Sequence, residues 1–204
     1  MRAFGRWLLL VLLAALGLQL FFALRIVSMN WWMPESTTFQ RSQAWQIVQR
    51  QGALPWRQES VSMAAVATTL QRAVIASEDG AFTQHKGVWW QSLEKAWEKN
   101  AKAKALAEKK TQNQAGKPPV TAKIVGGSTI TQQLAKNLFL SGERTLLRKG
   151  QEMLITLTLE AFLSKSRILE IYLNSVEWGE GVFGAQAAAQ HYFRKNASRL
   201  SAWE

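Results

Sequence analysis

The hydrophobic positions of the chain form one long apolar run near the N-terminus, followed by shorter segments with the spacing of amphipathic helices. Residues 7–24, WLLLVLLAALGLQLFFAL, are apolar apart from Gly17 and Gln19. With the apolar positions just beyond, the run reaches about 20 residues, the length that a helix needs to cross the hydrocarbon core of a bilayer. The pattern predicts a transmembrane anchor over residues 7–27.

Basic and aromatic residues on either side of this run predict its orientation. Arg2 and Arg6 precede it, so residues 1–6 are expected to stay in the cytoplasm while the rest of the chain is exported. Trp31 and Trp32 follow at the position of an interfacial aromatic belt. A cleaved signal peptide is the alternative, but its apolar region is shorter and needs a small-x-small cleavage site. No clear site of that kind follows, so the sequence favours an uncleaved anchor.

Beyond a connector over residues 28–57, which contains Pro34 and Pro55, the apolar positions recur at helical intervals. No segment alternates in the manner of a strand, so the predicted fold class is mainly α. A glycine-rich loop is expected over residues 177–184, and Gly80 is expected to end a helix as a left-handed cap. The predicted helices of this part of the chain cover residues 61–78, 129–140, 144–163, 165–173 and 185–193.

Residues 92–123 differ from their surroundings in composition. The first half is rich in lysine and alanine and predicts an exposed helix. The second half, from about residue 111, is rich in Gln, Gly and Pro and predicts a mobile loop. We interpret the charge of this stretch as that of a solvated surface. The folded domain is therefore expected over residues 58–204, with an insertion at about residues 102–123.

The charge and the cysteine count narrow the choice of partner. The chain has 204 residues and a formal net charge of +11, which indicates an anionic partner: nucleic acid, an acidic membrane surface or a phosphate-bearing substrate. An exported domain beside a membrane faces anionic lipid headgroups, so nucleic acid is excluded as the partner. The chain has no cysteine, which excludes disulfides and thiolate metal sites, and two histidines argue against a dedicated zinc site.

Two adjacent carboxylates stand where the first predicted helix of the domain ends. They are Glu78 and Asp79, and Asp79 is the only aspartate in the chain. A carboxylate at a helix C-terminus faces the negative end of the helix dipole, and a like charge beside it also disfavours ionisation. Both effects make this pair a candidate for a general base. The alternative is an ordinary Glu-Asp turn on the surface.

The segment over residues 126–140, GGSTITQQLAKNLFL, predicts a helix start that suits an anion. Either Ser128 or Thr129 caps the helix, and Thr129 with Gln132 has the spacing of a capping box. The free backbone amides at such a terminus favour a phosphate group. Lys136 lies one turn after Gln132 on the same face. The alternative is a well-capped helix start without a ligand.

Three charged residues recur every four positions on the next predicted helix: Arg144, Arg148 and Glu152. Such a stripe is consistent with a surface row of salt bridges, each of which contributes a few tenths of a kcal/mol. The functional alternative is a pair of guanidinium groups directed at phosphates, with Glu152 holding one of them in place.

The chain resembles the peptidoglycan glycosyltransferases, family 51 of the glycosyltransferases, in five segments that follow the order of that family's motifs. With a single anchor and no transpeptidase domain, it looks like a monofunctional member. The resemblance covers about residues 60–204. The segments are EDGAFTQHKG (78–87), GGSTITQQLAKNLFL (126–140), RKGQE (148–152), KSRILEIYLN (165–174) and YFRK (192–195).

The resemblance implies a lysozyme-like helical catalytic domain with a small membrane-proximal lobe, on the outer side of a bacterial cytoplasmic membrane. It implies inverting β-1,4 polymerisation of lipid II, with the growing glycan on undecaprenyl pyrophosphate as the donor. No cofactor is required, although a divalent cation, Mg²⁺ or Mn²⁺, is compatible with the pyrophosphate. The implied partners are lipid II, the growing lipid-linked glycan, the anionic membrane and other cell-wall synthesis proteins.

The resemblance also assigns roles to the motif residues. Glu78 is expected to deprotonate the 4-hydroxyl of the incoming lipid II, and Glu152 to orient the basic cluster or contact the donor. Lys136, Arg144 and Arg148 are expected to hold the pyrophosphates. The residues assigned to substrate binding are Asp79, Phe82, His85, Ser128, Thr129, Gln132, Gln133, Lys136, Asn137, Arg144, Arg148 and Lys149.

Three features depart from the family pattern, and two other functions remain open. Residues 102–123 look inserted, Arg194 stands where a glycine is common, and one more helix is expected to begin where the chain ends at Glu204. The first alternative is a membrane-anchored glycan hydrolase, which shares a helical fold and a catalytic glutamate but does not need a cluster for pyrophosphate. The second is a non-catalytic scaffold that recruits other wall-synthesis proteins.

Overall fold

A computed structural model of the protein describes residues 2–112, 121, 126–143 and 145–204. The fold is mainly helical, as the sequence predicts. The elements are α1 (Arg2–Ser28), α2 (Thr38–Gln51), β1 (Arg57–Gln58), a 3₁₀ turn (Met63–Ala65), α3 (Thr68–Glu78), α4 (Trp90–Gln112), α5 (Ile130–Phe139), α6 (Leu146–Phe162), α7 (Lys165–Ser175), β2 (Glu177–Gly179), β3 (Val182–Phe183), α8 (Ala185–Phe193) and a second 3₁₀ turn (Ala197–Arg199).

Helix α1 is long and apolar enough, from Ala3 to Ser28, to cross a membrane by its length and composition. Most of its large side chains are exposed over the first two thirds of its length, as expected of a helix that would face lipid. Near its C-terminal end this changes, because Ile26 and Met29 are buried in the core of the domain. The helix is therefore continuous with the folded domain rather than a separate tether.

The contact between α1 and the rest of the chain is specific as well as apolar. The side-chain amides of Gln19 and Gln151 exchange two hydrogen bonds, of 2.9 and 3.2 Å. One turn further along α1, the ring of Phe22 packs edge-on against Phe139 at 5.2 Å between centroids. Arg167 on α7 donates from Nε to the Met29 carbonyl at 2.6 Å. These contacts join the apolar helix to α5, α6 and α7.

The predicted connector contains a well-formed helix, which the sequence pattern did not indicate. Thr37 and Gln40 form a complete capping box at the start of α2, and Gly52 ends the helix in a left-handed conformation. Ile47 on this helix is fully buried. The prolines lie outside α2 and therefore do not break it, and its many glutamines hid the apolar stripe from a search for periodicity.

The core of the domain is built around α5, which packs against α2, α6 and α7. Its apolar face carries Ile130, Leu134, Ala135 and Leu138, all buried, at the spacing of one helical stripe. Burying a leucine side chain stabilises a fold by about 1.5–3 kcal/mol, and truncating one in a packed core costs roughly 2–5 kcal/mol. Leu134→Ala is expected to fall in that range, because Leu134 is fully buried.

A small sheet replaces the loop that the sequence predicts over residues 177–184. Strand β3 pairs in parallel with β1 and antiparallel with β2, so the strand order is β1-β3-β2. Gly181 in the β2–β3 turn has a φ of +74°, and a Cβ there would lie 2.2 Å from the Pro55 carbonyl oxygen. Strands of two or three residues are too short for an alternating pattern, so they could not be predicted from the sequence.

Two further predictions concern the segments around α3 and α4. Gly80 does not form a left-handed cap; α3 ends with Asp79 as its C-cap, at a φ of −160° and a ψ of 73°.

The predicted lysine-rich exposed helix is confirmed as α4, with Trp90 and Trp97 largely exposed. The loop predicted after it lies mostly outside the described residues.

Candidate active site

Two neighbouring cavities contain most of the residues that the sequence assigns to a site. The larger has a volume of about 530 Å³ and lies between α2, α5 and the N-terminal half of α6. The smaller has a volume of about 200 Å³ and lies where α3 ends and α5 begins. Ser128 lines both of them. The two cavities therefore form adjoining parts of one cleft.

Glu78 presents an exposed carboxylate to the smaller cavity. Its Oε2 accepts a hydrogen bond of 2.9 Å from Nε2 of Gln133 on α5. The same amide accepts through its oxygen a hydrogen bond of 3.0 Å from the hydroxyl of Tyr172 on α7. Two consecutive hydrogen bonds, from Tyr172 to Gln133 and from Gln133 to Glu78, thus hold the Gln133 amide so that its N–H group points at Glu78.

The Tyr172 hydroxyl is the hydrogen-bond donor to the Gln133 amide oxygen. Only 3% of Tyr172 is exposed. Burial raises the pKa of the Tyr172 hydroxyl well above its ordinary value, and the charge of nearby Glu78 raises it further. The hydroxyl therefore keeps its proton, and the orientation of the Gln133 amide follows from it.

Asp79 lines the smaller cavity, but its carboxylate is held by other groups of the protein. It is 5% exposed, and its Oδ2 accepts from the backbone N–H of Ile130 at 3.1 Å, at the first turn of α5. Both carboxylate oxygens also lie within 3.0 Å of Nε2 of His85. A negative charge at a helix N-terminus is stabilised by the helix dipole. The only aspartate of the chain therefore fixes the end of α3 to the start of α5.

The structure places His85 against Asp79 and Phe82 in the core, and their predicted contact with substrate stays a prediction. The Nδ1 atom of His85 accepts from the backbone N–H of Gly87 at 3.1 Å. Its Nε2 therefore carries the hydrogen and donates a hydrogen bond to the Asp79 carboxylate. Phe82 is 1% exposed, and Lys165 Nζ lies 4.5 Å from the centre of its ring. Neither residue lines either cavity of the cleft.

Gly87 lies at the end of the segment that follows α3, at a position where no side chain fits. Its φ is +86°, and a Cβ would lie 2.7 Å from Cγ2 of Thr156. Its carbonyl accepts a hydrogen bond of 2.6 Å from the hydroxyl of Thr129. Thr129 therefore joins the end of the first motif to the start of the second.

The capping box predicted at the start of α5 is confirmed. Thr129 Oγ1 accepts from the Gln132 backbone N–H at 3.2 Å, and Gln132 Oε1 accepts from the Thr129 backbone N–H at 3.0 Å. Gln132 is 1% exposed and lines the larger cavity. Its Nε2 has no hydrogen-bond partner within the described part of the chain.

Helix α6 brings a tight cluster of charges to the same cavity. Arg148 donates from Nη1 to Oε2 of Glu152 at 2.7 Å, and Lys149 contacts the other oxygen of Glu152. The Glu152 side chain is 4% exposed, so this carboxylate is buried and paired with two cations. The predicted role of Glu152 in holding a guanidinium thus agrees with the geometry.

The remaining predicted residues divide between the cavity and the part of the chain that is not described. Lys136 and Asn137, one position apart on α5, both line the larger cavity, and Lys136 is exposed there. Arg144 lies outside the described residues. The cations Lys136, Arg148 and Lys149 face the cavity together with the carboxylates Glu143 and Glu152.

Two side chains of the larger cavity each carry a buried hydrogen-bond donor that has no acceptor in the described part of the chain. The Nε atom of Arg148, like Nε2 of Gln132, is buried and has no partner among the residues that the structure describes. A buried donor without an acceptor costs roughly 1–3 kcal/mol, so such atoms are rare in folded proteins. Both side chains line the larger cavity, beside the cations Lys136 and Lys149.

The fourth motif holds the scaffold together. The Asn174 side chain exchanges hydrogen bonds of 2.8 and 2.9 Å with the backbone of Val61. Glu170 accepts from the Met63 backbone N–H at 3.1 Å and pairs with Arg167 at 2.8 Å. These contacts fix the segment before α3, and through it the position of Glu78.

Carboxylates and histidines do not form a metal site in the described ranges: no group of three or more of them lies close enough together to hold an ion. The oxygens of Asp79 and Glu152 already accept from His85, Ile130, Arg148 and Lys149. These two carboxylates are therefore engaged by donors of the protein itself.

A comparison with known protein families decides the affiliation of the chain. A family model described as Transglycosylase matches residues 46–204. The chain belongs to the transglycosylase family. The matched range includes all five motifs, and it begins within α2. The family predicted from those motifs is confirmed.

Similar proteins named biosynthetic peptidoglycan transglycosylase occur in several bacteria. The one from Herminiimonas arsenicoxydans is 48% identical over 200 residues, which cover 96% of this chain and 78% of the relative. The one from Burkholderia pseudomallei is 48% identical over 191 residues, covering 94% and 68%. The one from Nitrosomonas eutropha is 46% identical over 202 residues, covering 97% and 76%.

Two parts of this transglycosylase site are not predicted by the sequence. Helix α2 forms a wall of the larger cavity, although it was assigned to a connector. Tyr172 lies within the fourth motif, but its contact with Gln133 joins elements that are 39 residues apart in sequence. A capping box before α2 was the one signal that could have found the helix, while no local signal predicts the tyrosine contact.

Proposed function

We propose that the protein is a peptidoglycan transglycosylase that polymerises lipid II into linear glycan strands, with Glu78 as the general base. The observation that carries the proposal is the pair of buried, unpartnered donors on Gln132 and Arg148, in a cavity lined by cations and next to Glu78. A diphosphate in this cavity would place its oxygens against the wall formed by these two side chains and by Lys136 and Lys149. An exposed carboxylate beside it is placed to take a proton.

The donor occupies the larger cavity in this proposal. Lys136 and Arg148 bind the pyrophosphate that carries the growing glycan, while Glu152 keeps the Arg148 guanidinium in place through their 2.7 Å hydrogen bond. Charge-assisted hydrogen bonds from a fixed guanidinium are among the strongest contacts that a protein makes to phosphate. As the leaving group departs, the same cations stabilise its growing charge.

The acceptor occupies the smaller cavity. The oxygen of its 4-hydroxyl attacks C1 of the donor sugar, and its proton passes to Glu78. The bond between C1 and the pyrophosphate oxygen breaks, and the electron pair leaves with undecaprenyl pyrophosphate. The Gln133 amide steers the Glu78 carboxylate during this transfer through their 2.9 Å hydrogen bond.

The contacts of the other carboxylates support an inverting displacement in this proposal. A retaining route needs a second carboxylate as a nucleophile. The motifs bring two other acidic residues to the cleft beside Glu78. Asp79 is hydrogen-bonded to His85 and to the backbone of Ile130. Glu152 is paired with Arg148 and Lys149. Both are occupied, so the single displacement with one free base is favoured.

Helix α1 fits the role of a single-pass anchor that keeps the domain at the outer face of a bacterial cytoplasmic membrane. Its apolar length matches a bilayer core, and its C-terminal end is packed into the catalytic domain. This placement keeps the cleft beside the membrane that contains a lipid-linked substrate. A divalent cation, if one assists, would enter with the pyrophosphate rather than bind the protein first.

The test uses purified full-length protein in detergent with fluorescently labelled lipid II. The expected result is a ladder of glycan polymers that lysozyme digests, with undecaprenyl pyrophosphate released in equal amount to the bonds formed. Incubation with purified cell-wall sacculi serves as the second arm. Release of soluble fragments from sacculi without polymer from lipid II would contradict the proposal and favour a hydrolase. Neither product from folded protein would favour the scaffold.

A further inference from the structure

Helix α2 forms the wall of the larger cavity opposite the basic residues of α5 and α6. The side chains that line the cavity lie at positions i, i+1, i+4, i+5 and i+8, which is one continuous face of a helix. This face lies outside the five motifs of the site described above. Its members are Thr38, Phe39, Ser42, Gln43 and Gln46.

The position of this face is fixed by buried residues of the helix and by a contact that the face itself makes with α5. Ile47 is fully buried, and Gln40 is buried within the capping box with Thr37. Thr38 Oγ1 donates a hydrogen bond of 3.0 Å to the Leu138 carbonyl, at the C-terminal end of α5. A wall held at both its capped start and its buried side presents its polar groups in a defined orientation.

The chemistry of the α2 face differs from that of the wall it faces. It carries hydroxyls, amides and one aromatic ring, and no charge, whereas the opposite wall carries Lys136 and Arg148. The Gln43 side-chain amide makes no hydrogen bond to another residue in the described ranges. The Gln46 oxygen accepts from Arg50 at 3.0 Å, which leaves its two N–H donors uncommitted by that bond.

A ligand that spans this cavity therefore needs an anionic part on one side and a neutral part rich in hydrogen-bonding groups on the other. A sugar linked to a diphosphate has this division, because its hydroxyl and acetamido groups pair with amides and its diphosphate pairs with cations. We propose that the α2 face is a sugar subsite, in which Gln43 and Gln46 bind the glycan residue attached to the pyrophosphate. This inference rests on the function proposed above.

The helix offers a matched control for the test. Gln49 lies on α2, is exposed and does not line the cavity. We would compare Gln43→Ala, Gln46→Ala and the double variant with Gln49→Ala, each in a Glu78→Gln background so that binding is read without turnover. Equilibrium binding of labelled lipid II and of inorganic pyrophosphate would be measured for every variant, together with the thermal unfolding temperature.

We expect the double variant to bind lipid II about five- to 150-fold more weakly, the range for two lost hydrogen bonds. The pyrophosphate affinity of the double variant should stay within about two-fold of the parent value. The Gln49→Ala variant should keep both its lipid II affinity and its pyrophosphate affinity within the same limit. Unchanged lipid II affinity in the double variant would overturn the subsite. An equal loss of pyrophosphate affinity would also overturn it, because the face would then act on the phosphates or on the fold.

Failure of the subsite and failure of the proposed function give different results. If the otherwise wild-type protein forms polymer and the glutamine variants bind lipid II normally, only the α2 assignment is wrong. If the wild-type protein neither polymerises nor binds lipid II, the proposed function itself is wrong and the subsite falls with it.

Discussion

Nε2 of Gln133 lies 2.9 Å from Oε2 of Glu78, and this hydrogen bond connects the second motif to the first. Because the hydroxyl of Tyr172 holds the other end of the same amide, the N–H group cannot turn away without breaking a second bond. The exposed carboxylate is therefore directed by a buried residue on α7. The position of the proposed base is set by the fold and not by its own helix alone.

Gln133→Ala should lower the turnover of lipid II about ten-fold or more. A hydrogen bond to a charged carboxylate contributes roughly 1.5–3 kcal/mol, and its loss allows Glu78 to leave the productive orientation. The measurement is the initial rate of polymer formation at saturating lipid II. A variant that keeps the wild-type rate while unfolding at a lower temperature would assign Gln133 to stability alone.

Tyr172→Phe should lower the rate by a few-fold without changing the shape of its pH profile. The pKa of Tyr172 is raised above its ordinary value of about 10, chiefly by burial. The neutral form is therefore favoured, and the hydroxyl loses its proton only above the usual range. Profiles of kcat/KM from pH 6 to pH 10 should share the same alkaline limb in both proteins. Loss of that limb in the variant would show that Tyr172 titrates during turnover.

Glu152→Gln should lower the free energy of unfolding by roughly 1–3 kcal/mol, because the Arg148 guanidinium would lose a charged acceptor while remaining largely buried. Polymerisation should fall more steeply than stability, since the guanidinium is no longer fixed. Denaturant unfolding and polymer assays on the same preparation separate the two effects. The control is Glu98→Gln, an exposed carboxylate on α4 outside both cavities, which should behave as wild type in both assays.

The amide pair between Gln19 and Gln151 should show coupling in a double-mutant cycle. Gln19→Leu or Gln151→Leu alone leaves one amide without its partner, whereas the double variant removes both. Such pairs between membrane helices contribute about 0.6 kcal/mol on average. Thermal unfolding in detergent should therefore show the double variant to be less destabilised than the sum of the singles. Strict additivity would mean that α1 does not dock on α6 through these residues.

The sequence predicted the helical framework and the members of the cleft because both depend on local patterns. The capping box of Thr129 and Gln132 and the pairing of Arg148 with Glu152 are visible within four residues of one another. The apolar spacing likewise predicts α5 to α8 to within a few residues. These signals do not depend on the rest of the fold.

The parts that the sequence could not predict depend on contacts between distant segments. Phe82 and His85 share a motif with Glu78, yet burial makes one a core residue and a hydrogen bond makes the other a support for Asp79. Helix α2 has a glutamine-rich surface, so its place in the cleft follows from packing against α5. Strands of two or three residues acquire their identity only by pairing with one another.

The most direct test of the account compares Glu78→Gln with wild type in a polymerisation assay on labelled lipid II. Glu94→Gln, an exposed carboxylate on α4 outside both cavities, is the matched control. The account predicts polymer from wild type and from Glu94→Gln, and a loss of at least about 100-fold for Glu78→Gln, the lower range for removing a general base. Wild-type rates from folded Glu78→Gln would contradict the central claim that Glu78 takes the proton.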